Sequence, residues 1–151
     1  MALALAVAAA LIVGVLTGFW IKAARNRRDL EQHSITAEGL YQLMMSKKDL
    51  MLFDVRQPLD LLADSEIIPG AKRVPPKDMD NEAVRIPKDL ELFVYCTCPN
   101  DATARLMSRR ARDRHFTKVK FLRGGLAAWK ARGYPVEPYN ETFRLDTATT
   151  S

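Results

Sequence analysis

Residues 90–101 read Leu-Glu-Leu-Phe-Val-Tyr-Cys-Thr-Cys-Pro-Asn-Asp and contain the clearest buried strand of the chain. The nearly continuous apolar run from Leu90 to Cys96 is typical of a strand that is covered on both faces of a parallel sheet. A turn is predicted at 97–101, and a helix is predicted from Ala102 to Arg114 because apolar residues recur along one face. A cysteine therefore stands where a buried strand opens into a helix.

Strands and helices alternate on both sides of this segment. The other predicted elements, in chain order, are a helix capped by Thr36 and ending near Lys47, a strand at 49–55, a loop at 57–76 with one short strand at 72–74, a strand at 119–122, and, after Gly124 and Gly125, a helix that carries Leu126, Ala127 and Trp129. This alternation predicts an α/β domain with a mainly parallel central sheet flanked by helices. Trp129 is expected in the core, and the polar tail at 139–151 is expected to be mobile.

The chain opens on 20 uncharged residues, 2–21, before a basic cluster begins at Lys22. At 1.5 Å per residue a helix of this length spans about 30 Å of hydrocarbon, which predicts a transmembrane helix over 1–21 and a basic linker over 22–34. A secretory signal is the alternative, but its basic residues would precede the apolar stretch. Because the charges follow the span, the positive-inside rule predicts a single-pass protein of the inner or plasma membrane whose soluble domain is cytoplasmic.

The formal net charge of +5 in 151 residues raises the question of an acidic partner. The basic residues form two clusters, one after the apolar span and one on the predicted helix at 102–114. Aromatic residues do not interleave with either cluster, so nucleic acid is not an expected partner. The cluster that follows the apolar span is expected to be attracted to anionic lipid headgroups. Within the span, the spacing of Gly14 and Gly18 would let two copies pack as a homodimer.

Cys96 and Cys98 are the only cysteines, and a disulfide between residues so close in sequence could not stabilise the fold. Two free thiols are therefore expected, as is typical of a reducing compartment. A zinc site would need four ligands, and His33 and His115 are far apart in sequence, so no metal is expected. Cys96 lies where ligands bind in open α/β sheets. Loop N–H groups and the following helix N-terminus are expected to favour its thiolate. An inert buried cysteine is the alternative.

Four separated motifs resemble the rhodanese (sulfurtransferase) family, in the family's order. They are Leu52-Phe53-Asp54-Val55-Arg56, Ile68-Pro69-Gly70-Ala71, Val94-Tyr95-Cys96 with its loop to Asp101, and Gly124-Gly125-Leu126 with Trp129 and Gly133-Tyr134-Pro135-Val136. The resemblance implies a rhodanese-like domain over 35–138. It also implies that Cys96 takes sulfur from a small donor such as thiosulfate, holds a persulfide and passes the sulfur to a thiol acceptor, without a metal or organic cofactor.

The same resemblance assigns a substrate-binding loop to Thr97, Cys98, Pro99, Asn100, Asp101 and Ala102. Asp54 and Arg56 are expected to fix the end of the first strand rather than to act on substrate. A closer resemblance, to rhodanese domains that follow DedA-type membrane proteins, rests on the apolar helix, the arginine-rich segment and the Cys-x-Cys-Pro-Asn loop. It predicts attachment to a larger membrane protein.

The chain departs from the family pattern at the end of the loop. Many active members have Arg or Lys where this chain has Asp101, so the acid would repel an anionic donor unless it turns outward to cap the helix. Arg105, one turn further on, is a candidate anion contact or a solvated arginine. Cys98 is a candidate second sulfur acceptor or a small loop residue. A catalytically silent binding module is therefore the alternative function, whereas a phosphatase would need Arg at position 102, which is Ala102.

Overall fold

The computed structural model describes residues 2–46, 49–79, 81 and 86–140. The chain divides into two compact units, 1–34 and 35–151. The first unit consists of helix α1 (Ala2–His33), which is long and apolar enough to cross a membrane. The basic segment predicted as a linker continues this helix instead. Its Arg, Lys, Glu and Gln residues are good helix formers, and Arg27 pairs with Glu31 one turn later at 3.1 Å.

The second unit alternates strands and helices, as predicted. Strand β1 (Ser34–Ile35) lies at the boundary of the two units. The other described elements of the second unit are α2 (Ala37–Met45), β2 (Leu50–Asp54), α3 (Pro58–Ala63), β3 (Glu66–Ile67), β4 (Lys72–Arg73), β5 (Glu91–Tyr95), a 3₁₀ turn (Pro99–Asp101), α4 (Ala102–Asp113), β6 (Val119–Leu122), α5 (Gly125–Ala131) and β7 (Glu137–Pro138). Thr36 caps α2, with its side chain accepting from the Gly39 N–H.

Five strands form one sheet in the order β1-β6-β5-β2-β4. Strand β5 lies between β2 and β6, and both pairings are parallel, as is that of β2 with β4. The α/β class with a mainly parallel sheet is therefore confirmed. Asp54 faces Tyr95 across the β2–β5 pair, so the carboxyl ends of the two central strands lie side by side.

The short strand predicted at 72–74 is confirmed as β4, but the prediction of loop over the rest of 57–76 was wrong, because this stretch also contains α3 and β3. Pro58 stands at the start of helix α3, where its fixed φ suits a first turn, and Leu61 on this helix is buried. Strand β3 pairs antiparallel with β7, some 70 residues later in the chain. A local pattern cannot reveal such a distant partner. The predicted helix end near Lys47 and the tail at 141–151 lie outside the described residues.

Trp129 lies at the centre of the hydrophobic core, as predicted, and is fully buried. Its ring packs edge-on against Tyr41 and Tyr134, whose own rings stack at 4.2 Å. The indole N–H donates to the Pro135 carbonyl at 2.8 Å, so its one polar group is satisfied. This cluster fixes α5, and thus the Gly-Gly turn that precedes α5, against the sheet.

A buried ion pair fixes the carboxyl ends of β2 and β5. The Arg56 guanidinium donates from Nε to both Asp54 carboxylate oxygens, at 3.0 and 2.9 Å, and from its two terminal nitrogens to the carbonyls of Asp64 and Glu66. The Tyr95 hydroxyl donates to Asp54 at 3.1 Å. Asp54 and Arg56 are both fully buried. The predicted structural role of this pair is confirmed.

Replacing Arg56 by Met should lower the free energy of unfolding by about 3–5 kcal/mol, because the Asp54 carboxylate would remain buried without its partner. The measurement is urea unfolding of the full chain in detergent. Arg132→Met is the matched control. Arg132 pairs with Glu38 on the surface, with side chains 57% and 61% exposed, and such pairs contribute about 0–1 kcal/mol. Similar losses for the two variants would contradict the structural role of Arg56.

Candidate functional site

The candidate site lies at the carboxyl end of β5, where the buried ion pair anchors the sheet. Strand β5 ends at Tyr95, so Cys96 is the first residue of the loop. Cys96 is only 1% exposed, whereas Cys98 is partly exposed. Because Tyr95 is fixed through its hydroxyl to Asp54 and to the Ile68 N–H, the position of the Cys96 backbone follows from the strand.

The loop turns sharply before α4. Asn100 and Asp101 both have left-handed backbones, with φ of 56° and 55°, and the Asp101 N–H donates to the Cys98 carbonyl at 3.2 Å. Asn and Asp tolerate this conformation better than other residues with side chains. These two residues therefore give the loop its tight curvature and direct the backbone into the first turn of α4.

The Gly-Gly turn packs directly against the loop from the other side. A Cβ atom on Gly125 would lie 1.9 Å from the Cys96 carbonyl oxygen, and Gly125 has φ of +52°. The same carbonyl accepts from the Leu126 N–H at 3.3 Å. Only glycine allows this approach. The turn thus belongs to the site, although the sequence indicated it only as part of a motif.

Asp101 does not cap α4, which was one of the two roles that the sequence left open for it. Its side chain makes no capping hydrogen bond, because capping requires an extended backbone and that of Asp101 is left-handed. Instead, the buried carboxylate accepts from the Gly124 N–H at 2.9 Å. Burial raises the pKa of Asp101, although the Gly124 N–H and the charges of Arg105 and Arg123 oppose the rise. Asp101 ties the cysteine loop to the Gly-Gly turn.

The Cys96 thiol is held in its neutral form. Burial raises the pKa of Cys96 to about 12, and its hydrogen bond to the Cys98 sulfur adds to the rise. The backbone N–H groups of Ala104 and Cys98 bond to the Cys96 sulfur and act in the opposite direction, as the loop was expected to do. The N–H groups therefore act as expected, but burial outweighs them, and the pKa of Cys96 is raised.

Cys98 is the more acidic thiol of the pair. Burial acts to raise its pKa, but hydrogen bonds from Cys96 and Thr103 to its sulfur prevail, so the pKa of Cys98 is lowered. The Thr103 N–H lies 3.2 Å from that sulfur. Within the pair, the hydrogen bonds therefore favour ionisation of Cys98 over ionisation of Cys96.

A shallow cavity of about 330 Å³ opens beside the loop and is lined by Asn100, Ala102, Arg105, Leu106 and Arg109. Three residues predicted for the site therefore lie on one surface. They are Asn100 and Ala102 of the substrate-binding loop and the candidate anion contact Arg105. The Arg105 guanidinium lies 5.7 Å from the centre of the Phe121 ring. Thr97 and Pro99 are exposed on the outer side of the loop. A larger cleft of about 660 Å³ lies at the amino ends of β2 and β5 and is remote from both cysteines.

Sequence reasoning missed two residues of the site. Thr103 bonds to the Cys98 sulfur, and the Ala104 N–H bonds to the Cys96 sulfur. Both lie in the first turn of α4, where backbone N–H groups lack partners within the helix. The predicted helix start at Ala102 was the signal that could have identified them.

A family model for the rhodanese-like domain matches residues 36–132. A sulfurtransferase of Allochromatium vinosum is 30% identical over 107 residues, which cover 69% of this chain and 94% of that protein.

Solved structures are similar as well. The Alr3790 protein from Anabaena sp. has a TM-score of 0.62 and 28% identity, covering 70% of this chain and 81% of that one. A thiosulfate sulfurtransferase from Pseudomonas aeruginosa has a TM-score of 0.61 at 19% identity, covering 74% of this chain and 22% of that one. This last similarity concerns the fold alone.

Proposed function

Because the chain belongs to the rhodanese-like domain family, we propose that it is a sulfurtransferase in which Cys96 takes sulfane sulfur from a small donor and holds it as a persulfide. The observation that carries the proposal is the convergence of the Ala104 and Cys98 N–H groups on the Cys96 sulfur, at the end of a central parallel strand. Donors in this position would stabilise the charge of a persulfide, as an oxyanion hole stabilises oxygen. The sulfurtransferase from Allochromatium vinosum supports the same general activity.

The attack requires a Cys96 thiolate, and Cys98 can provide it. In the resting pair, Cys96 donates its proton toward the Cys98 sulfur. Transfer of that proton leaves a thiolate on Cys96, which then attacks the outer sulfur of thiosulfate and displaces sulfite. Cys98 is already in contact with the thiol, so the proton can move directly between the two sulfurs, against the difference between their pKa values.

Asp101 favours a second candidate, a binding module that retains the fold without efficient catalysis. Its buried carboxylate lies at the end of the loop, where an anionic donor would approach. Arg105 and Arg109 line the neighbouring cavity and would offset this charge. The two functions differ in whether Cys96 acquires sulfur.

The full chain in detergent, incubated with thiosulfate and then weighed by mass spectrometry, should gain one sulfur atom. The gain should be lost in Cys96→Ser, because that variant lacks the nucleophile, and a Cys98→Ser chain should still acquire sulfur on Cys96, more slowly. If the unaltered chain gains no sulfur from thiosulfate or from 3-mercaptopyruvate, sulfur transfer is the wrong function and the silent binding module takes its place.

We further propose that α1 spans the inner or plasma membrane once and leaves the rhodanese-like domain on the cytoplasmic side. The uncharged residues 2–21 precede Lys22, Arg25, Arg27 and Arg28, and this charge order favours a cytoplasmic domain. The anchor would keep sulfur transfer at the membrane surface, whether two copies pair through Gly14 and Gly18 or the chain is attached to a larger membrane protein.

A maleimide that cannot cross the bilayer tests the orientation. It should leave the chain unlabelled in spheroplasts and label Cys98, the more exposed thiol, once the membrane is opened. Cys98→Ser gives the background. Labelling of Cys98 before the membrane is opened would contradict a cytoplasmic domain.

A further inference from the structure

The burial of Cys96 limits which molecules can collect sulfur from it. Its side chain is 1% exposed, and the Gly-Gly turn contacts its carbonyl directly. A small nucleophile can approach such a group more readily than a thiol on a peptide or protein can. Efficient transfer to a bulky acceptor therefore calls for a second group that contacts Cys96 and also reaches the surface.

Cys98 meets both requirements. Its sulfur accepts a hydrogen bond from the Cys96 thiol, and its side chain is partly exposed. The Thr103 N–H and hydroxyl also donate to the Cys98 sulfur, so donors from both Cys96 and Thr103 converge on one atom. These contacts suit an anionic sulfur better than a neutral thiol. They hold Cys98 beside the sulfur that would carry the persulfide.

We propose that Cys98 is a second sulfur-carrying residue, which takes the sulfane sulfur from buried Cys96 and presents it to a bulky thiol acceptor. This inference rests on the proposed function, because it requires that Cys96 first acquire sulfur. The acceptor class is a thiol on a peptide or protein, which the exposed side of the loop can admit.

One proton is sufficient for both steps within the pair. After Cys96 has attacked the donor, the proton held by Cys98 passes to the terminal sulfur, giving a neutral persulfide on Cys96 and a thiolate on Cys98. The Cys98 thiolate then attacks the terminal sulfur. A bond forms between that sulfur and Cys98, the bond to Cys96 breaks, and Cys96 leaves as a thiolate.

The sequence closes when an acceptor thiol enters. Its thiolate attacks the terminal sulfur on Cys98 and carries it away as a persulfide, which releases the Cys98 thiolate. The proton that the acceptor thiol loses returns to the pair and restores the resting state. The sulfane sulfur keeps its oxidation state throughout, so no oxidant or reductant is needed.

The test compares two acceptors of different size, cyanide and glutathione, on the full chain in detergent after loading with thiosulfate. In Cys98→Ala, the ratio of the glutathione rate to the cyanide rate should fall by at least about tenfold relative to the unaltered chain, because the positioned intramolecular acceptor is lost. Cys98→Ser should show the same fall. In the loaded unaltered chain, peptide mapping should find sulfur on both cysteines.

Each other outcome identifies which proposal fails. An unchanged ratio in both variants, with sulfur mapped to Cys96 alone, would overturn the relay and leave Cys96 as the sulfur carrier. Release of sulfide with formation of a Cys96–Cys98 disulfide would also overturn it, since Cys98 would then have attacked the inner sulfur. If the unaltered chain never acquires sulfur, the proposed function itself is wrong.

Discussion

The buried Asp54–Arg56 pair is the constraint on which the candidate site depends. Arg56 ties the end of β2 to the carbonyls of Asp64 and Glu66, and Asp54 accepts from the Tyr95 hydroxyl on β5. Tyr95 immediately precedes Cys96, so the same network fixes where the loop begins. Two charges in an apolar interior are tolerated because nearly every donor and acceptor is matched. The fold therefore holds its reactive loop through a polar network rather than through apolar packing alone.

The tight packing around the loop gives its two cysteines different chemistry. Gly125 brings the following helix against Cys96, and Asp101 holds the loop to Gly124, so Cys96 is enclosed. Cys98 remains partly exposed and collects the hydrogen bonds of Thr103. Enclosure favours the neutral thiol, and converging donors favour the thiolate. Residues two apart in sequence thus become a proton donor and a proton acceptor.

The sequence predicted the parts of the fold that local patterns determine. The apolar run of β5, the amphipathic face of α4 and the cap of α2 each lie within one segment, and the position of Cys96 follows from the first of these. The pairing of β3 with β7 and the Asp101–Gly124 hydrogen bond join distant segments, which no local pattern shows. The capping role considered for Asp101 failed because its backbone is left-handed and its carboxylate accepts from the distant Gly124 N–H instead. Likewise, the direction in which the pKa of Cys96 is shifted depends on burial, which is a property of the whole fold.

The most direct test of this unequal pair is the rate at which iodoacetamide modifies each cysteine as pH is raised, resolved by peptide mapping of the full chain in detergent. Because the pKa of Cys98 is lowered and that of Cys96 is raised to about 12, Cys98 should react first, with a midpoint below that of an ordinary thiol. Thr103→Val removes the hydroxyl donor and should move the Cys98 midpoint to higher pH, whereas Thr103→Ser should not. This comparison separates ionisation from mere exposure. Modification of Cys96 before Cys98, or a midpoint that Thr103→Val leaves in place, would contradict the account.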